Sequence, residues 1–268
     1  MAYLMHICFD NSHRLLKDCY LFEYRGVRFK LVQNSTRQSA DHLLTIVSEK
    51  DADAQENAFS KASEFLSAVG WENCSRVAVW LAGGVGCPDE YPLEKANPSI
   101  RTFPRVSFAG SVFGFDLKRI PNIETDEQRI ALALFREANA SNNDYLSFLF
   151  FWQILQVENL DPKSFVDKCK DDHHILLKNS DIDTLAMGSG SLGKCLEQDY
   201  RHAIAHITRS KGKKPLDLNK LHDRMRLTIS SRIIKDVAVR YIRTNLKLAN
   251  HLYLTNPTRG NFSEFLNL

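Results

Sequence analysis

The period of the hydrophobic pattern changes near residue 120, and this change limits the fold of the 268-residue chain more than any other feature. Before that point, short runs rich in Tyr, Phe, Val and Leu alternate with turn residues, which is typical of strands. Beyond it, apolar residues recur at helical spacing. The sequence therefore predicts an α+β domain at 1–120 and an all-α domain at 124–268, with the boundary at the Pro121 turn.

The first domain contains a hairpin, further strands and one helix in this prediction. CYLFEYRGVRFKLVQ (19–33) predicts the hairpin, with its turn at Arg25-Gly26. The run LAGGVGCP (81–88) lacks the lysine and the glycine spacing of a phosphate-binding loop, so it is interpreted as a structural turn. The other predicted elements are a strand at HLLTIVSE (42–49), a helix at DADAQENAFSKASEFLSAVGW (51–71) and a strand at SRVAVWLAGG (75–84).

Capping residues mark the helices of the second domain. Thr125 and Gln128 predict a capping box, Asn143 or Asp144 caps a second helix through Glu158, and Asp161-Pro162 begins a third. A motif helix at about 194–207 follows a Gly/Ser connector. A last helix at about 218–248 places an apolar residue at every fourth position: Leu221, Met225, Ile229, Ile233, Val237 and Tyr241.

Composition excludes several classes of protein. The run YLSFLFFWQILQV (145–157) is shorter than a membrane span and predicts a buried helix. MAYLMHICFD lacks the pattern of a signal peptide, so we expect a cytoplasmic protein with no membrane partner. The six cysteines are scattered without a CxxC pair, so we expect reduced thiols, no metal site and no cofactor.

The net charge of +3 hides a strong asymmetry along the chain. Residues 121–200 carry 7 basic and 14 acidic side chains, whereas residues 201–268 carry 14 basic and 4 acidic ones. A segment this basic predicts an anionic partner such as nucleic acid, unless it pairs with the acidic segment that precedes it.

The basic segment begins at DYRHAIAH (199–206), where three polar residues surround a small apolar step. On a helix, His202 and His206 share one face, and the long side chain of Arg201 can bend towards them. Three interpretations follow from the spacing. In the first, the histidines are partly buried and hydrogen-bonded, and Arg201 pairs with a nearby carboxylate. In the second, the histidines hold a metal, which needs a third ligand, and the helix has no HExxH pattern. In the third, Arg201 and His206 act on a phosphodiester.

RHAIAH (201–206) resembles the Rx4H signature of HEPN domains. Two upstream segments are similar to the first helices of the large prokaryotic HEPN branch: Phe135 to Ala138 occupies its YREA-like position, and Tyr145 to Glu158 its second helix. With the N-terminal domain, the chain is similar to the methylamine-utilisation protein J-like and Apea-like HEPN proteins. The resemblance covers about residues 124–250.

This resemblance implies a HEPN-type helical bundle that forms a homodimer with two motifs facing one cleft. It implies RNA cleavage without a metal, in which Arg201 stabilises the charge on the phosphate and His206 acts as general base or acid. His202 would help to orient the site. Because many HEPN domains have lost catalysis, the resemblance also allows an inactive dimerisation or nucleic-acid-binding module whose N-terminal domain senses or docks a partner.

A basic loop directly follows the motif and is the candidate RNA-binding segment. Its side chains could hold backbone phosphates, which would make binding strongly salt-dependent. The function that the resemblance implies is an endoribonuclease in stress response, toxin–antitoxin pairs or phage defence, with RNA and an antitoxin or defence protein as partners. The loop residues are Arg209, Lys211, Lys213 and Lys214.

Overall fold

The computed structural model describes most of the chain and divides it into two compact units, Met1–Asn122 and Ile123–Leu268. The described residues are 2–15, 18–33, 40–48, 51–73, 75–98, 111–115, 120–158, 160–171, 185, 190–201 and 219–249.

The first unit contains a five-stranded antiparallel sheet and, among its described residues, one long helix, α1 (Ala52–Glu72). The strands are β1 (Ala2–Asn11), β2 (His13–Leu15), β3 (Cys19–Tyr24), β4 (Val27–Val32), β5 (Asp41–Ser48), β6 (Val77–Cys87) and β7 (Ser111–Phe115). In the sheet their order is β3-β4-β5-β1-β6, and β2 and β7 form a separate parallel pair. The N-terminal region is therefore an antiparallel sheet with a helix, in agreement with the α+β prediction.

The predicted hairpin forms because its two turn residues accept a left-handed backbone. Arg25 has φ 50° and Gly26 has φ 80°, and positive φ at both central residues matches the right-handed twist of the flanking strands. One face of the sheet packs on α1, where Ile7 and Leu43 contact the same apolar cluster as Phe65. Asp51 caps this helix by accepting a hydrogen bond from the Ala54 amide.

The predicted glycine turn at 81–88 is wrong, because the strand continues through the glycines to Cys87. Gly83 pairs with His6 and Gly84 with Met5 on β1. A Cβ atom at Gly84 would overlap the Tyr3 ring and the Leu4 carbonyl oxygen. Glycine is required here by the close approach of a neighbouring strand, which a composition-based turn rule does not detect.

The second unit is helical. Its α-helices are α2 (Asp126–Ala140), α3 (Asp144–Ile154), α4 (Pro162–Asp171), α5 (Leu192–Cys195) and α6 (Leu221–Thr244). The capping box of Thr125 and Gln128 is present, and Asn143 caps α3 through the Tyr145 amide. The helix α3 ends at Ile154, four residues before the predicted end, and continues as turns.

The helix α3 contacts both α2 and α6 and carries the core of this unit. Its side chains Phe148, Phe151 and Trp152 are almost fully buried, which confirms the prediction of a core helix at 145–157. Hydrogen bonds tie its start to its neighbours: the Ser147 hydroxyl donates to the Ala138 carbonyl (2.8 Å), and the Thr228 hydroxyl donates to Asp144 (2.6 Å).

The four-residue apolar stripe predicted for α6 is buried only in its second half. Leu221 and Met225 are 73% and 55% exposed, whereas Ile233, Val237 and Tyr241 are buried. Successive steps of four residues drift by about 40° around a helix with 3.6 residues per turn, so one such stripe leaves the core face. None of the helices described above combines the length and the apolarity that a bilayer crossing requires.

Candidate functional site

The helix that leads to the predicted motif changes its hydrogen-bonding pattern before it reaches Arg201. It begins as α5, capped by the Ser191 side chain, and continues as a π-helical segment over Leu196–Arg201. A π-helix bonds from residue i to i+5, which widens the turn, and such turns are frequent at functional sites. The sequence predicted a regular α-helix here. Arg201, half-buried, is the last described residue of the segment.

A buried tyrosine fixes the end of the π-helical segment. The Tyr200 side chain is fully buried, and its ring centroid lies 6.2 Å from that of Phe148 on α3. The guanidinium carbon of Arg226 on α6 lies 5.8 Å from the Tyr200 centroid. Burial raises the pKa of the Tyr200 phenol, so it is neutral at physiological pH. The residue next to Arg201 is therefore held between two helices.

The start of the same helix lies directly against α4. A Cβ atom at Gly193 would collide with the Lys163 backbone, and the Gly193 amide donates to Asp167 (2.8 Å). The Lys163 ammonium lies 3.3 Å from Glu197 on the π-helical segment. Three helices therefore position the segment. The helices α3 and α6 contact Tyr200, and α4 contacts Gly193 and Glu197.

Arg201 is the predicted site residue that the structure describes. The other predicted catalytic and RNA-binding residues lie outside the described residues, so their placement relative to Arg201 stays a prediction. These are His202, His206, Arg209, Lys211, Lys213 and Lys214. The structure adds Arg226, whose guanidinium group lies over the tyrosine that precedes Arg201.

The sheet unit brings together a second set of chemically active side chains. His6 and Cys8 on β1 and His42 on β5 lie on the sheet face opposite α1. The His6 Nε2 atom is 2.7 Å from His42 Nδ1, and the Cys8 Sγ atom is 3.4 Å and 3.6 Å from these two nitrogens. Imidazole and thiol are the ligand types that hold zinc, so these three residues form a candidate metal site.

Burial sets the protonation of this cluster. Desolvation lowers the pKa of His6, and desolvation together with the neighbouring imidazole lowers that of His42 to about 4. Burial raises the pKa of the Cys8 thiol. At neutral pH both imidazoles are therefore uncharged and the thiol keeps its proton.

The cluster contains a single cysteine, so the spacing of cysteine pairs in the sequence does not reveal it. Strand periodicity does predict part of it: alternate residues of a strand lie on one face, so His6 and Cys8, on either side of Ile7, are expected to lie together. His42 could not be added without the register of β1 and β5, in which it lies opposite Cys8.

Comparison with known protein families gives a match in the helical unit. The family model described as Methylamine utilization protein MauJ matches residues 131–243, less than half of the chain. This family is HEPN-like, so the match supports the resemblance over the helices α2 to α6, although it does not test the Rx4H motif. Neither a search of curated proteins nor one of solved structures finds a match. The sheet unit lies outside the matched residues.

Proposed function

We propose that the helical region is an endoribonuclease that cleaves RNA without a metal ion, with Arg201, His202 and His206 at its centre. The observation that carries the proposal is the position of Arg201. It lies within the residues that match a HEPN-like family, at the end of a π-helical segment held by the buried Tyr200. Tyr200 holds the backbone from which the Arg201 side chain extends, and the planar fork of a guanidinium binds phosphate oxygens in a defined direction.

The proposed reaction is an internal transfer at phosphorus. His206 takes the proton of a ribose 2′-hydroxyl, and the resulting oxygen nucleophile attacks the adjacent phosphorus. The bond from phosphorus to the 5′-oxygen breaks, and this oxygen takes a proton from the imidazolium. Arg201 stabilises the negative charge that develops on the phosphate oxygens, and His202 orients the site. The products are a 2′,3′-cyclic phosphate and a 5′-hydroxyl.

RNA binding is proposed to involve the basic loop that follows the motif. If its four cations contact phosphates of single-stranded RNA, the logarithm of the binding constant falls with the logarithm of salt concentration with a slope of about −3. Replacing one lysine should then lower that slope by about 0.7 without changing sequence preference. The loop residues are Arg209, Lys211, Lys213 and Lys214.

We further propose that two chains pair so that their motifs face one cleft, and that the enzyme acts in stress response, a toxin–antitoxin pair or phage defence. Sedimentation of the full chain tests the dimer. A monomer at micromolar concentration would contradict the shared cleft.

The test of catalysis is the cleavage of labelled RNA by the full chain in EDTA. We expect Arg201→Ala and His206→Ala each to lower the rate by about 100-fold or more, as removal of a general base or a charge-stabilising donor does. Matched controls are Arg224→Ala and His222→Ala, since both side chains are exposed on α6. End-group analysis should show cyclic phosphates.

Two results would contradict the proposal in different ways. Cleavage that persists in both site variants would remove these residues from the mechanism. If the wild-type chain cleaves no RNA, the function becomes that of a non-catalytic HEPN-like module that dimerises or binds nucleic acid or nucleotide.

A further inference from the structure

The register of two strands places three metal-ligand atoms on one face of the sheet. Cys8 lies directly opposite His42 in the antiparallel pair of β1 and β5, and His6 lies two residues from Cys8 on the same face. Backbone hydrogen bonds of both strands fix these positions, and β1 is also bonded to β6 on its other side. A site built on paired strands is more precise than one built on loops.

The distances within the cluster are close to those of a tetrahedral zinc site. With Zn–N bonds of about 2.05 Å and Zn–S bonds of about 2.3 Å, the ligand atoms stand about 3.3 Å (N to N) and about 3.6 Å (N to S) apart. Cys8 Sγ is 3.4 Å and 3.6 Å from the nitrogens of His6 and His42. The two nitrogens are 2.7 Å apart, a hydrogen-bond distance, and must separate by roughly 0.6 Å to admit an ion.

Two of the three candidate ligands are buried and the third is partly exposed. Cys8 and His42 are buried, with 1% and 6% exposure, whereas His6 is half-buried. Gly83 lies opposite His6 on β6, and a side chain at that position would meet nothing within 4 Å among the described residues. Leu4 and Leu44 form an apolar cluster on the same face. Three protein ligands are the number found in zinc sites that keep a water molecule in the fourth position.

The protonation states favour metal binding at the two histidines and oppose it at the cysteine. Metal ligation requires neutral imidazoles, and burial keeps both histidines neutral at pH 7. The Cys8 thiol, whose pKa burial raises, must lose its proton when the ion binds. In the free state the two imidazoles share a hydrogen bond, so ion binding exchanges that bond for two metal–nitrogen bonds.

We propose that His6, Cys8 and His42 bind one zinc ion per chain, with water as the fourth ligand. Two nitrogens and one sulfur favour Zn²⁺ over Mg²⁺ or Ca²⁺, which require oxygen ligands. The site lies in the sheet unit and involves no residue of the proposed ribonuclease site, so it is independent of that function.

Cobalt is the probe for the test, since Co²⁺ occupies zinc sites and absorbs light. Full-length protein is stripped with a chelator and titrated with Co²⁺ under reducing conditions. We expect one ion per chain, a thiolate-to-cobalt charge-transfer band and the visible bands of tetrahedral Co²⁺, all displaced by Zn²⁺. Cys8→Ser should abolish the charge-transfer band, whereas the control Cys19→Ser, at an exposed cysteine, should keep it.

A second pair of variants keeps the test valid if Cys8→Ser folds poorly. His6→Gln changes the most exposed of the three ligands and should weaken Zn²⁺ affinity by at least about 100-fold, since even outer-sphere changes cost 10–100-fold. His222→Asn, at an exposed histidine of the other unit, should have no effect. Circular dichroism verifies that each variant is folded.

The proposal of a zinc site is contradicted if folded wild-type protein shows no charge-transfer band with Co²⁺. It is also contradicted if His6→Gln binds Co²⁺ and Zn²⁺ as tightly as wild type does. Binding of Cu⁺ with no binding of Zn²⁺ or Co²⁺ would overturn the choice of ion. None of these measurements uses RNA, and the ribonuclease assay is run in EDTA. Failure of one proposal therefore leaves the other intact.

Discussion

The two candidate sites of this chain are assembled in opposite ways. In the sheet unit, His6, Cys8 and His42 come from strands that are separated along the chain and meet only through their register. In the helical unit, Arg201 and the rest of the motif follow one another in sequence, and the fold contributes an anchor, Tyr200, beside them. A sequence motif reveals the second kind of site and hides the first.

The largest effect is expected from removing the anchor of the helical unit. Tyr200→Ala deletes a fully buried aromatic ring and should lower the free energy of unfolding by about 3–5 kcal/mol. Tyr200→Phe keeps the ring and should lose at most about 1.5 kcal/mol. Urea unfolding of the full chain, followed by far-UV circular dichroism, measures both. Cobalt binding in the sheet unit should be unchanged in Tyr200→Phe; a loss would mean that the two sites are coupled.

The next largest effect is the pH dependence of the stability of the sheet unit in the absence of metal. The pKa of His42 is lowered to about 4, so between pH 6.5 and 4 the unfolded chain takes up a proton that the folded chain does not. The stability contributed by the neutral imidazole is complete above about pH 6.5 and is lost as the pH falls towards 4, by about 1–3 kcal/mol.

Hydrogen exchange of the β1 and β5 amides in EDTA measures this loss. The asparagine in His42→Asn does not titrate, so the protection of these amides from exchange should depend less on pH in that variant. In His222→Asn their protection should behave as in wild type. Equal pH dependence in both variants would show that His42 is not the titrating group.

A smaller effect is expected at the hairpin turn of the sheet unit. Gly26 has φ 80°, and an L-residue in the left-handed region costs about 1–2 kcal/mol. Gly26→Ala should therefore destabilise the chain by that amount, measured by urea unfolding. The matched control is Gly190→Ala, because Gly190 also has a positive φ but lies in the helical unit. The hydrogen exchange of β3 and β4 should respond to Gly26→Ala alone.

The smallest effect on stability is expected at the N-terminal cap of α2 in the helical unit. Thr125→Ala removes the hydroxyl that accepts from the Gln128 amide and should cost about 1 kcal/mol. Thr125→Ser keeps the cap and should lie within a few tenths of wild type in the same urea experiment. If both variants lose the same amount, the hydroxyl does not act as a cap.

Local signals in the sequence predicted much of this fold. The hairpin turn at Arg25-Gly26 and the capping box at Thr125 need only neighbouring residues, and both are present. The failures are at positions where a distant segment decides the structure. Gly84 lies in a strand where Tyr3 approaches it closely, and the π-helical turn at 196–201 contains Tyr200, which packs against distant helices.

The candidate sites divide in the same way. Arg201 is on the helix that the sequence predicted to carry it, although as part of a π-turn. Strand periodicity alone could predict that His6 and Cys8 lie together, because residues two positions apart on one strand share a face of the sheet. The third member of the cluster requires the pairing of β1 with β5, which a single sequence does not encode in any local pattern.

The position of β1 within the sheet has a consequence for the order of assembly. This strand precedes all others in the chain, but its two partners are the fourth strand after it and the strand that follows α1. The β3–β4 hairpin can form within microseconds from local contacts, whereas β1 must wait until both partners are available. Until β5 and β6 are available, β1 has two unpaired edges, and unpaired edges are the part of a sheet that can pair with another chain.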